Sequence, residues 1–427
     1  MTESERKQII SLIKREVVPA IGCTEPIAVA LCVAKATETL GHQPDKISVC
    51  LSANILKNAM GVGIPGTGMI GLPIAIALGA LIGKSEYQLE VLKDATPKDV
   101  EQGKMLIDDK IICISLKEDI CEKLYIEAIC EANGEIATVI ISGEHTNFVY
   151  IEKNGEKILD KRCASCCQEE ETVPELSLKK VYDFSMEAPL DDITFILESG
   201  RLNKAAAIES LKGNYGHGLG KTLSGDMEQK VMGRSVFSSI LSYTSAACDA
   251  RMAGAMIPVM SNSGSGNQGI AATLPVVIFA EENNKSEEEL IRALTLSHLT
   301  VIYIKQSLGR LSALCGCVVA ATGSSCGITY LMGGGYQQVC FAVKNMIANL
   351  TGMICDGAKP SCSLKITSGT STAVLSAMMA MEQKCVSCVE GIIENDVDQC
   401  IRNLTIIGSQ GMNETDKLVL DIMTHKC

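Results

Sequence analysis

Hydrophobic positions near the N-terminus repeat at helical spacing and predict two helices. Ile10, Ile13, Val17 and Ile21 recur at helical spacing, which predicts a polar, capped first helix, and an apolar second helix is expected from about Pro26. From Ser177 to the end of the chain the pattern is helical again, with glycine-rich loops between the helices. Most of the chain is therefore predicted to be helical.

Between the two helical parts, short apolar and β-branched runs predict a small sheet. Asn-Gly pairs at 133–134 and 154–155 are typical of hairpin turns between such strands. Thr96 followed by Pro97 is typical of a helix start, with Thr as the N-cap and Pro in the first helical position. The five expected strands are 46–51, 111–116, 124–130, 135–141 and 147–152.

Together these elements predict an α+β fold with two domains. The first is a mainly helical, Gly/Ala-rich catalytic domain formed by residues 1–85 and 176–427. The second is a small α/β domain inserted at residues 86–175, for which a regulatory role is a hypothesis by fold-level analogy. No period of 20–50 residues repeats, which excludes a solenoid.

Three stretches carry no charged residue, at 58–83, 252–280 and 311–343. Each is longer than the roughly 20 residues that a helix needs to span a membrane, so a transporter is an alternative. The stretches are, however, dense in Gly, Ser, Asn and Gln, and they lack flanking aromatic and basic belts. We therefore expect helices in the core of a large domain and no membrane partner.

Composition narrows the function further. The net charge of −12 and the pI of 5.1 argue against a nucleic-acid partner, which requires a basic surface. The chain has 20 cysteines, and its first residues lack the apolar segment of a secretory signal. A reduced cytoplasmic protein with metal-binding or catalytic thiols is therefore expected, although most of these cysteines are interpreted as small buried hydrophobes.

Cys355 and Cys362 flank a loop that is broken by Gly and Pro. Cys315 lies upstream, in the charge-free stretch at 311–343. Three thiolates suit an iron–sulfur cluster, zinc or copper, and a cluster held by three would leave one iron open to substrate. The alternative is three buried cysteines without a ligand. Cys317, Cys326 and Cys340 lie nearby and, on spacing alone, could replace a member of the trio.

Cys23 lies in a turn just before Pro26. A thiol at a helix N-terminus is acidified by the helix dipole, which suits a general base, a nucleophile or a fourth cluster ligand. The alternative is that Thr24 caps the helix and Cys23 only packs. Two Cys-x-x-Cys pairs, Cys163/Cys166 and Cys385/Cys388, are weaker candidates for zinc or redox chemistry.

The loop at 260–269, which contains Asn262 and Asn267, precedes an apolar helix and is a candidate cradle for an anion. A flexible loop without a ligand is the alternative. Arg251 is the best candidate for binding a carboxylate, because an Arg in a nearly charge-free stretch needs an anionic partner. Asp249 is the alternative partner within the chain. His145 and His217 are isolated candidates for ligands or acids, although a single histidine is more often structural.

Seven segments together resemble the L-cysteine desulfidase family, which is related to the alpha chain of iron–sulfur L-serine dehydratases and has many members labelled uncharacterised. The resemblance covers nearly the whole chain. The segments are Gly-Cys23-Thr-Glu-Pro, Pro65-Gly-Thr-Gly-Met, Glu90-Val-Leu-Lys-Asp-Ala-Thr, Gly-Glu144-His-Thr-Asn, Ser-Asn262-Ser-Gly-Ser-Gly-Asn-Gln-Gly-Ile, Arg310-Leu-Ser-Ala-Leu-Cys and Met353-Ile-Cys-Asp-Gly-Ala.

The resemblance implies a [4Fe–4S] enzyme that converts L-cysteine and water to pyruvate, ammonia and hydrogen sulfide. It assigns the cluster to Cys315, Cys355 and Cys362 and the role of proton acceptor to Cys23. The related serine dehydratases space their loop cysteines more widely and can use a C-terminal cysteine as a ligand, so the role of Cys427 is not carried over.

The expected mechanism is a cluster-assisted α,β-elimination on a small amino acid, with Arg251, Asn262 and Asn267 binding the substrate. An L-serine dehydratase of the same family is the nearest alternative. A cluster-bearing redox sensor without turnover is the alternative from another class, and a pyridoxal-phosphate lyase would require a Schiff-base lysine in a telling context. The sequence leaves open whether the chain forms a homo-oligomer.

Overall fold

The computed structural model describes residues 1–117, 122–162, 174–309 and 311–425. Helices predominate and one larger sheet lies in the first half of the chain, which confirms the predicted α+β class. The helices are α1 Glu3–Glu16, α2 Thr24–Leu40, α3 Ala53–Ala59, α4 Leu72–Ile82, α5 Pro97–Asp108, α6 Leu178–Glu187, α7 Leu190–Ile193, α8 Leu197–Lys212, α9 Leu219–Thr222, α10 Asp226–Val231, α11 Val236–Met252, α12 Gly266–Glu282, α13 Glu287–Leu308, α14 Gly316–Leu331, α15 Tyr336–Leu350, α16 Cys362–Met381, α17 Val397–Ile406 and α18 Asn413–His425. The strands are β1 Pro19–Ala20, β2 Lys46–Leu51, β3 Ile112–Leu116, β4 Tyr125–Ala132, β5 Glu135–Ser142, β6 Phe148–Lys153, β7 Glu156–Asp160 and β8 Val259–Met260.

The larger sheet has the strand order β3-β2-β4-β5-β6-β7, with β2 and β3 parallel and the other pairs antiparallel. The two Asn-Gly pairs lie at the β4–β5 and β6–β7 turns, and all four residues have positive φ, as the predicted hairpins require. Strand β7 was not predicted, because its Glu, Lys and Asp residues hide the apolar alternation. The predicted start of α5 is confirmed, since Thr96 and Asp99 form a capping box.

One apolar core lies between this sheet and helix α2. Helix α2 packs on β4, β5 and β6, and its residues from Ile27 to Ala34 are all buried. Strand β2, which precedes residue 86, lies inside the sheet. The sheet and its core therefore also include elements that precede the predicted insertion, and the division into domains at residues 86 and 175 stays a prediction.

The second apolar core is a helical assembly around α14. This helix packs against α12, α13, α15 and α16, and its residues from Cys317 to Thr329 are all buried. The charge-free stretches at 252–280 and 311–343 thus supply the innermost helices of this core. No helix in the described ranges combines the length and apolarity required to cross a membrane.

Candidate active site

A cavity of about 100 Å³ brings together most of the residues that were predicted from the sequence. Its volume is well below that of a typical drug-sized or nucleotide pocket of about 300 Å³ or more, and it suits a small ligand. Six of the seven predicted site residues line its wall: Cys23, Arg251, Asn267, Cys315, Cys355 and Cys362.

Four helices begin at this cavity. Cys23 is the N-cap of α2, Ser265 is the N-cap of α12, Cys315 is the N-cap of α14, and Cys362 is the first residue of α16. Each helix N-terminus carries a partial positive charge and amide groups that have no partner within the helix. Four such ends around one small cavity favour an anionic ligand or anionic thiolate ligands.

Backbone pairing fixes the two loops that carry Cys315 and Cys355. Leu314 and Ile354 form an antiparallel bridge. The amide of Cys315 donates to the carbonyl of Met353 at 2.9 Å, and the amide of Cys355 donates to the carbonyl of Ala313 at 2.7 Å. The two thiols are therefore held on neighbouring segments, although 40 residues separate them in the sequence.

The third thiol, Cys362, is brought to the same wall by the loop at 356–361. Its Sγ lies 3.7 Å from the carbonyl oxygen of Gly357. Asp356 forms ion pairs with Lys359 and Lys365, which tie the loop to the first turn of α16. The short C-x6-C spacing thus becomes a compact turn with both cysteines on the cavity.

The three thiols differ in their electrostatics. The hydrogen bond from Cys317 lowers the pKa of Cys315 to about 7, against the opposing effect of burial. Burial raises the pKa of Cys355 to about 11 and also raises that of Cys362. Within the described ranges, no three His, Cys, Asp or Glu side chains are close enough to bind a single metal ion.

The other cysteines near the trio differ in position. Cys317 also lines the cavity, whereas Cys326 and Cys340 lie outside its described wall. Cys248 was not predicted. It is fully buried, which raises the pKa of its thiol, and the nearby charge of Cys362 raises that pKa further. Cys315 and Cys317 both reach the cavity, so its lining does not separate these two candidates, just as spacing in the sequence did not.

Of the two Cys-x-x-Cys pairs, the structure describes Cys385/Cys388, and this pair does not join the site. Cys385 is half-buried and donates to the carbonyl of Val386 at 3.2 Å, and Cys388 is exposed; neither lines the described cavity. Cys163, Cys166 and Cys427, like Arg310 of the Arg-Leu-Ser-Ala-Leu-Cys segment, lie outside the described residues.

Cys23 is buried, and its side chain makes no capping hydrogen bond to α2. The helix begins at Thr24, two residues earlier than predicted. Sγ of Cys23 donates to Oε2 of Glu25 at 2.9 Å. Burial and the Glu25 carboxylate raise the pKa of Cys23 well above its ordinary value, although Arg251 opposes them. This direction is opposite to the acidification expected from the helix dipole alone. Thr24 does not cap the helix; its hydroxyl donates to Glu25 and to the carbonyl of Gly264.

Arg251 lies in the last turn of α11 and is 4% exposed. It packs against Gly266, where a Cβ would approach its Nε to 2.2 Å, so a larger residue there would displace the Arg251 side chain. Among the described residues, Nε of Arg251 has no hydrogen-bond partner and the guanidinium forms no ion pair. Asp249 forms no ion pair with it in the described part of the chain: Oδ2 of Asp249 accepts from the amide of Gly220 at 3.0 Å, and its Oδ1 has no hydrogen-bond partner there.

The loop at 260–269 is fixed against the turn that carries Cys23. Strands β1 and β8 pair there, and the amide of Ser261 donates to the carbonyl of Val18 at 2.8 Å. Asn267 lines the cavity and contacts Cys248 and Met252. Asn262 lies outside the described wall. Its amide donates to Nδ1 of His298 at 3.0 Å and to the carbonyl of His298, which is a structural use.

The wall also holds polar residues that the sequence analysis did not single out, among them Glu25, Asn58, Gln268, Lys305 and Ser312. Oε1 of Glu25 accepts from Nδ2 of Asn58 at 3.1 Å, which leaves Oδ1 of Asn58 without a partner among the described residues. Oε1 of Gln268 also lacks one there. Buried polar atoms without partners are costly unless a ligand or water satisfies them. The only sequence signal for Glu25 was a carboxylate at the start of an apolar helix.

Comparison with known proteins identifies the family. A family model described as serine dehydratase alpha chain matches residues 86–421. The chain belongs to the serine dehydratase alpha-chain family. The matched range includes Arg251 and all three cysteines of the trio, whereas Cys23 precedes it.

Relatives of the chain extend over its full length. A UPF0597 protein of Bacteroides fragilis is 78% identical over 426 residues, covering 100% of each chain. UPF0597 proteins of Porphyromonas gingivalis and Oleidesulfovibrio alaskensis are 56% and 47% identical, also with 100% of each chain covered. The name UPF0597 states no activity. Membership of the serine dehydratase alpha-chain family indicates a lyase and a site of the iron–sulfur type.

Proposed function

We propose that this protein is an iron–sulfur-dependent lyase that converts L-cysteine and water to pyruvate, ammonia and hydrogen sulfide by α,β-elimination. One observation carries the proposal: three thiols, a buried arginine that forms no ion pair with the described residues, and four helix N-termini meet at one cavity of about 100 Å³.

The donor set fits a [4Fe–4S] cluster. Cys315, Cys355 and Cys362 supply three soft thiolate ligands, and the helix N-termini at Cys315 and Cys362 stabilise their negative charge. When bound, such a cluster supplies a Lewis acid at an iron that has no protein thiolate. Our assignment of Cys315 over Cys317 follows the family resemblance, since both residues line the cavity.

The unsatisfied groups of the wall match a zwitterionic amino acid. The guanidinium of Arg251 is suited to bind the substrate carboxylate, with help from the amides at the start of α12. Oδ1 of Asn58 and Oε1 of Gln268 are acceptors without partners among the described residues and are suited to the α-ammonium group. Asn267 also borders the carboxylate subsite, whereas the bonds of Asn262 to His298 argue against its predicted role in binding substrate.

Cys23 is the candidate base that takes the proton from the substrate Cα. It lies on the same wall as Arg251, so a substrate held by its carboxylate would present the Cα toward the thiol. Loss of the Cα proton and of the β-substituent gives aminoacrylate, which water hydrolyses to pyruvate and ammonia. The burial of the site limits the access of water during the elimination.

L-Serine is the second candidate substrate, and the family match favours it directly. The two substrates differ only in the leaving group, which is hydrosulfide for cysteine and hydroxide for serine. The protein groups that would bind the carboxylate and ammonium serve both substrates equally, so the choice between them depends on turnover measurements.

The decisive experiment measures iron and acid-labile sulfide on anaerobically purified protein, followed by pyruvate formation from L-cysteine and L-serine. We expect about four iron and four sulfide atoms per chain, and a higher kcat/KM for L-cysteine. Cys355→Ser is expected to lose both iron and turnover. Cys388→Ser is the matched control, because this exposed thiol lies away from the cavity.

Each failure has a different meaning. Protein without iron after anaerobic reconstitution would contradict the cluster. A higher kcat/KM for L-serine would make the protein a serine dehydratase. A complete cluster without turnover of either amino acid would favour the redox sensor.

A further inference from the structure

The carboxylate of Glu25 is the nearest charged neighbour of the Cys23 thiol. Sγ of Cys23 lies 2.9 Å from Oε2 of Glu25, and the hydroxyl of Thr24 donates to the same oxygen at 3.0 Å. Nδ2 of Asn58 donates to the other oxygen at 3.1 Å. Glu25 is only 8% exposed. Its carboxylate is thus held in one orientation by three donors, with one oxygen directed at the thiol.

Other charges keep Glu25 ionised despite its burial. Burial alone would raise its pKa, but the charge of His145, the hydrogen bond from Cys23 and the charge of Arg251 outweigh it, so the pKa lies below the ordinary value. Glu25 also lies in the first turn of α2, where the helix dipole stabilises a negative charge. The resting pair is therefore a neutral thiol beside a carboxylate.

A neutral thiol cannot remove a proton from a substrate Cα, so the resting thiol requires an acceptor for its own proton. The described contacts of Cys23 offer one acceptor at hydrogen-bond distance, which is Oε2 of Glu25. Transfer across 2.9 Å needs no movement of either side chain. Cys23 and Glu25, which are separated by one residue at the start of α2, thus form a thiol–carboxylate pair that shares one proton.

We propose, on the basis of the lyase function proposed above, that Glu25 is the positioning residue that accepts the Cys23 proton and passes it to the leaving hydrosulfide in each turnover. The Sγ–H bond of Cys23 breaks and an Oε2–H bond forms on Glu25. The Cys23 thiolate then takes the Cα proton, and the Cα–H electron pair becomes the Cα–Cβ double bond.

The remaining bonds close the cycle. The Cβ–S bond of L-cysteine breaks and its electron pair leaves with hydrosulfide. Glu25 gives its proton to hydrosulfide, which departs as hydrogen sulfide. The products are 2-aminoacrylate and hydrogen sulfide, and the pair has returned to thiol and carboxylate without an added oxidant or reductant.

The competing explanation is that Glu25 only holds the loop through Thr24 and Asn58. Glu25→Gln separates the two explanations, because glutamine can still accept from Asn58 but does not accept a thiol proton at neutral pH. Glu25→Asp retains a carboxylate but withdraws it from the thiol. Glu38→Gln is a matched control, since Glu38 lies on the same helix and bonds Ser85, away from the cavity.

The experiment compares these variants in three measurements: turnover of L-cysteine, exchange of the Cα hydrogen of L-alanine in D2O by NMR, and iron per chain. L-Alanine has no leaving group, so its exchange reports proton removal alone. For Glu25→Gln we expect kcat to fall about 100-fold or more, with KM within about threefold. Its Cα exchange should be lost and its iron retained. Glu25→Asp should slow exchange about tenfold, and Glu38→Gln should match wild type.

Wild-type exchange together with kcat within about threefold in Glu25→Gln would overturn the proposal. If Glu25→Gln does not fold, Glu25→Asp decides the question, and unchanged exchange there would overturn it. Failure of the lyase function itself would be recognised by wild-type protein without turnover of any amino acid.

In that case alkylation of Cys23 with iodoacetamide, followed by mass spectrometry of its peptide, still tests the shared proton. Because removing the carboxylate charge favours the thiolate, the pH midpoint of alkylation should move to lower pH in Glu25→Gln. An unchanged midpoint would overturn the proposed pairing.

Discussion

At the scale of single residues, the sequence was sufficient to select candidate chemical groups but not to find all of their partners. Cys23, Cys315, Cys355 and Cys362 could be selected because thiols beside glycine, proline and helix starts are chemically unusual. Glu25 could not be given a role, because nothing in a linear pattern indicates that its oxygen lies 2.9 Å from a thiol. Hydrogen-bond geometry is a property of the folded chain.

Asn262 and Asn267 illustrate the same limit. Both lie in one glycine-rich loop, and the sequence predicted the same role for both. In the structure the amide of Asn262 turns inward to His298, whereas Asn267 lines the cavity. Five residues along a loop that enters a helix are enough to turn one amide toward the core and the other toward the site.

Arg251 allows a test at this scale. We expect Arg251→Lys to raise KM for the amino-acid substrate by about 10- to 100-fold, because lysine cannot replace the two-pronged contact of a guanidinium with a carboxylate, worth about 1.5–3 kcal/mol. Iron per chain should stay at the wild-type value. Arg234→Lys, at an exposed position, is the control. An unchanged KM in Arg251→Lys would mean that the carboxylate binds elsewhere.

At the scale of helices and strands, local sequence signals were sufficient to predict helix starts and turns, because the interacting residues are close in sequence. The capping box of α5 and the hairpin turns at the two Asn-Gly pairs are of this kind. Helix α12 is different, because it contains Pro275 within its span. Proline usually interrupts a helix, and here the burial of the surrounding turns keeps the helix continuous.

The contact between α12 and α13 contains a buried histidine that predicts a pH dependence of stability. His298 on α13 is 0% exposed, and its ring bonds Thr273 of α12 at 3.0 Å and Asn262 at 3.0 Å. Burial lowers the pKa of His298 to about 3. The unfolded chain, with an ordinary histidine pKa of about 6.5, therefore binds more protons between these two values.

From this difference we expect the free energy of unfolding to decrease as the pH falls below about 6.5, by up to about 1.4 kcal/mol per pH unit from His298 alone. His298→Gln retains polar atoms but cannot titrate, so its stability should depend less on pH in urea unfolding between pH 5 and 7. His425→Gln, at an exposed position of α18, should keep the wild-type slope. Identical slopes for His298→Gln and wild type would show that His298 is already charged in the native state.

At the scale of the whole molecule, the site joins parts of the chain that no local pattern could bring together. Lys57 of α3 is 1% exposed; it forms an ion pair with Asp416 of α18 and donates to the carbonyl of Cys355 at 3.3 Å. The first and last parts of the chain therefore meet behind one proposed cluster ligand. The family resemblance implied the ligands but not this packing, because long-range contacts follow from how the two cores pack together.

This arrangement predicts that cluster binding stabilises the whole fold. The proposed ligands lie at the start of α14, at the start of α16 and in the loop that contacts α3, so a bound cluster would connect elements distant in sequence. A ligand that binds only the native state at about 100 times its dissociation constant adds about 2.7 kcal/mol, which corresponds to a rise in Tm of roughly 3 °C for a chain of this size. Anaerobic calorimetry of reconstituted and chelator-treated protein measures the difference. Cys355→Ser should remove the shift and Cys388→Ser should retain it, whereas equal Tm values with about four irons bound would mean that the cluster does not link these elements.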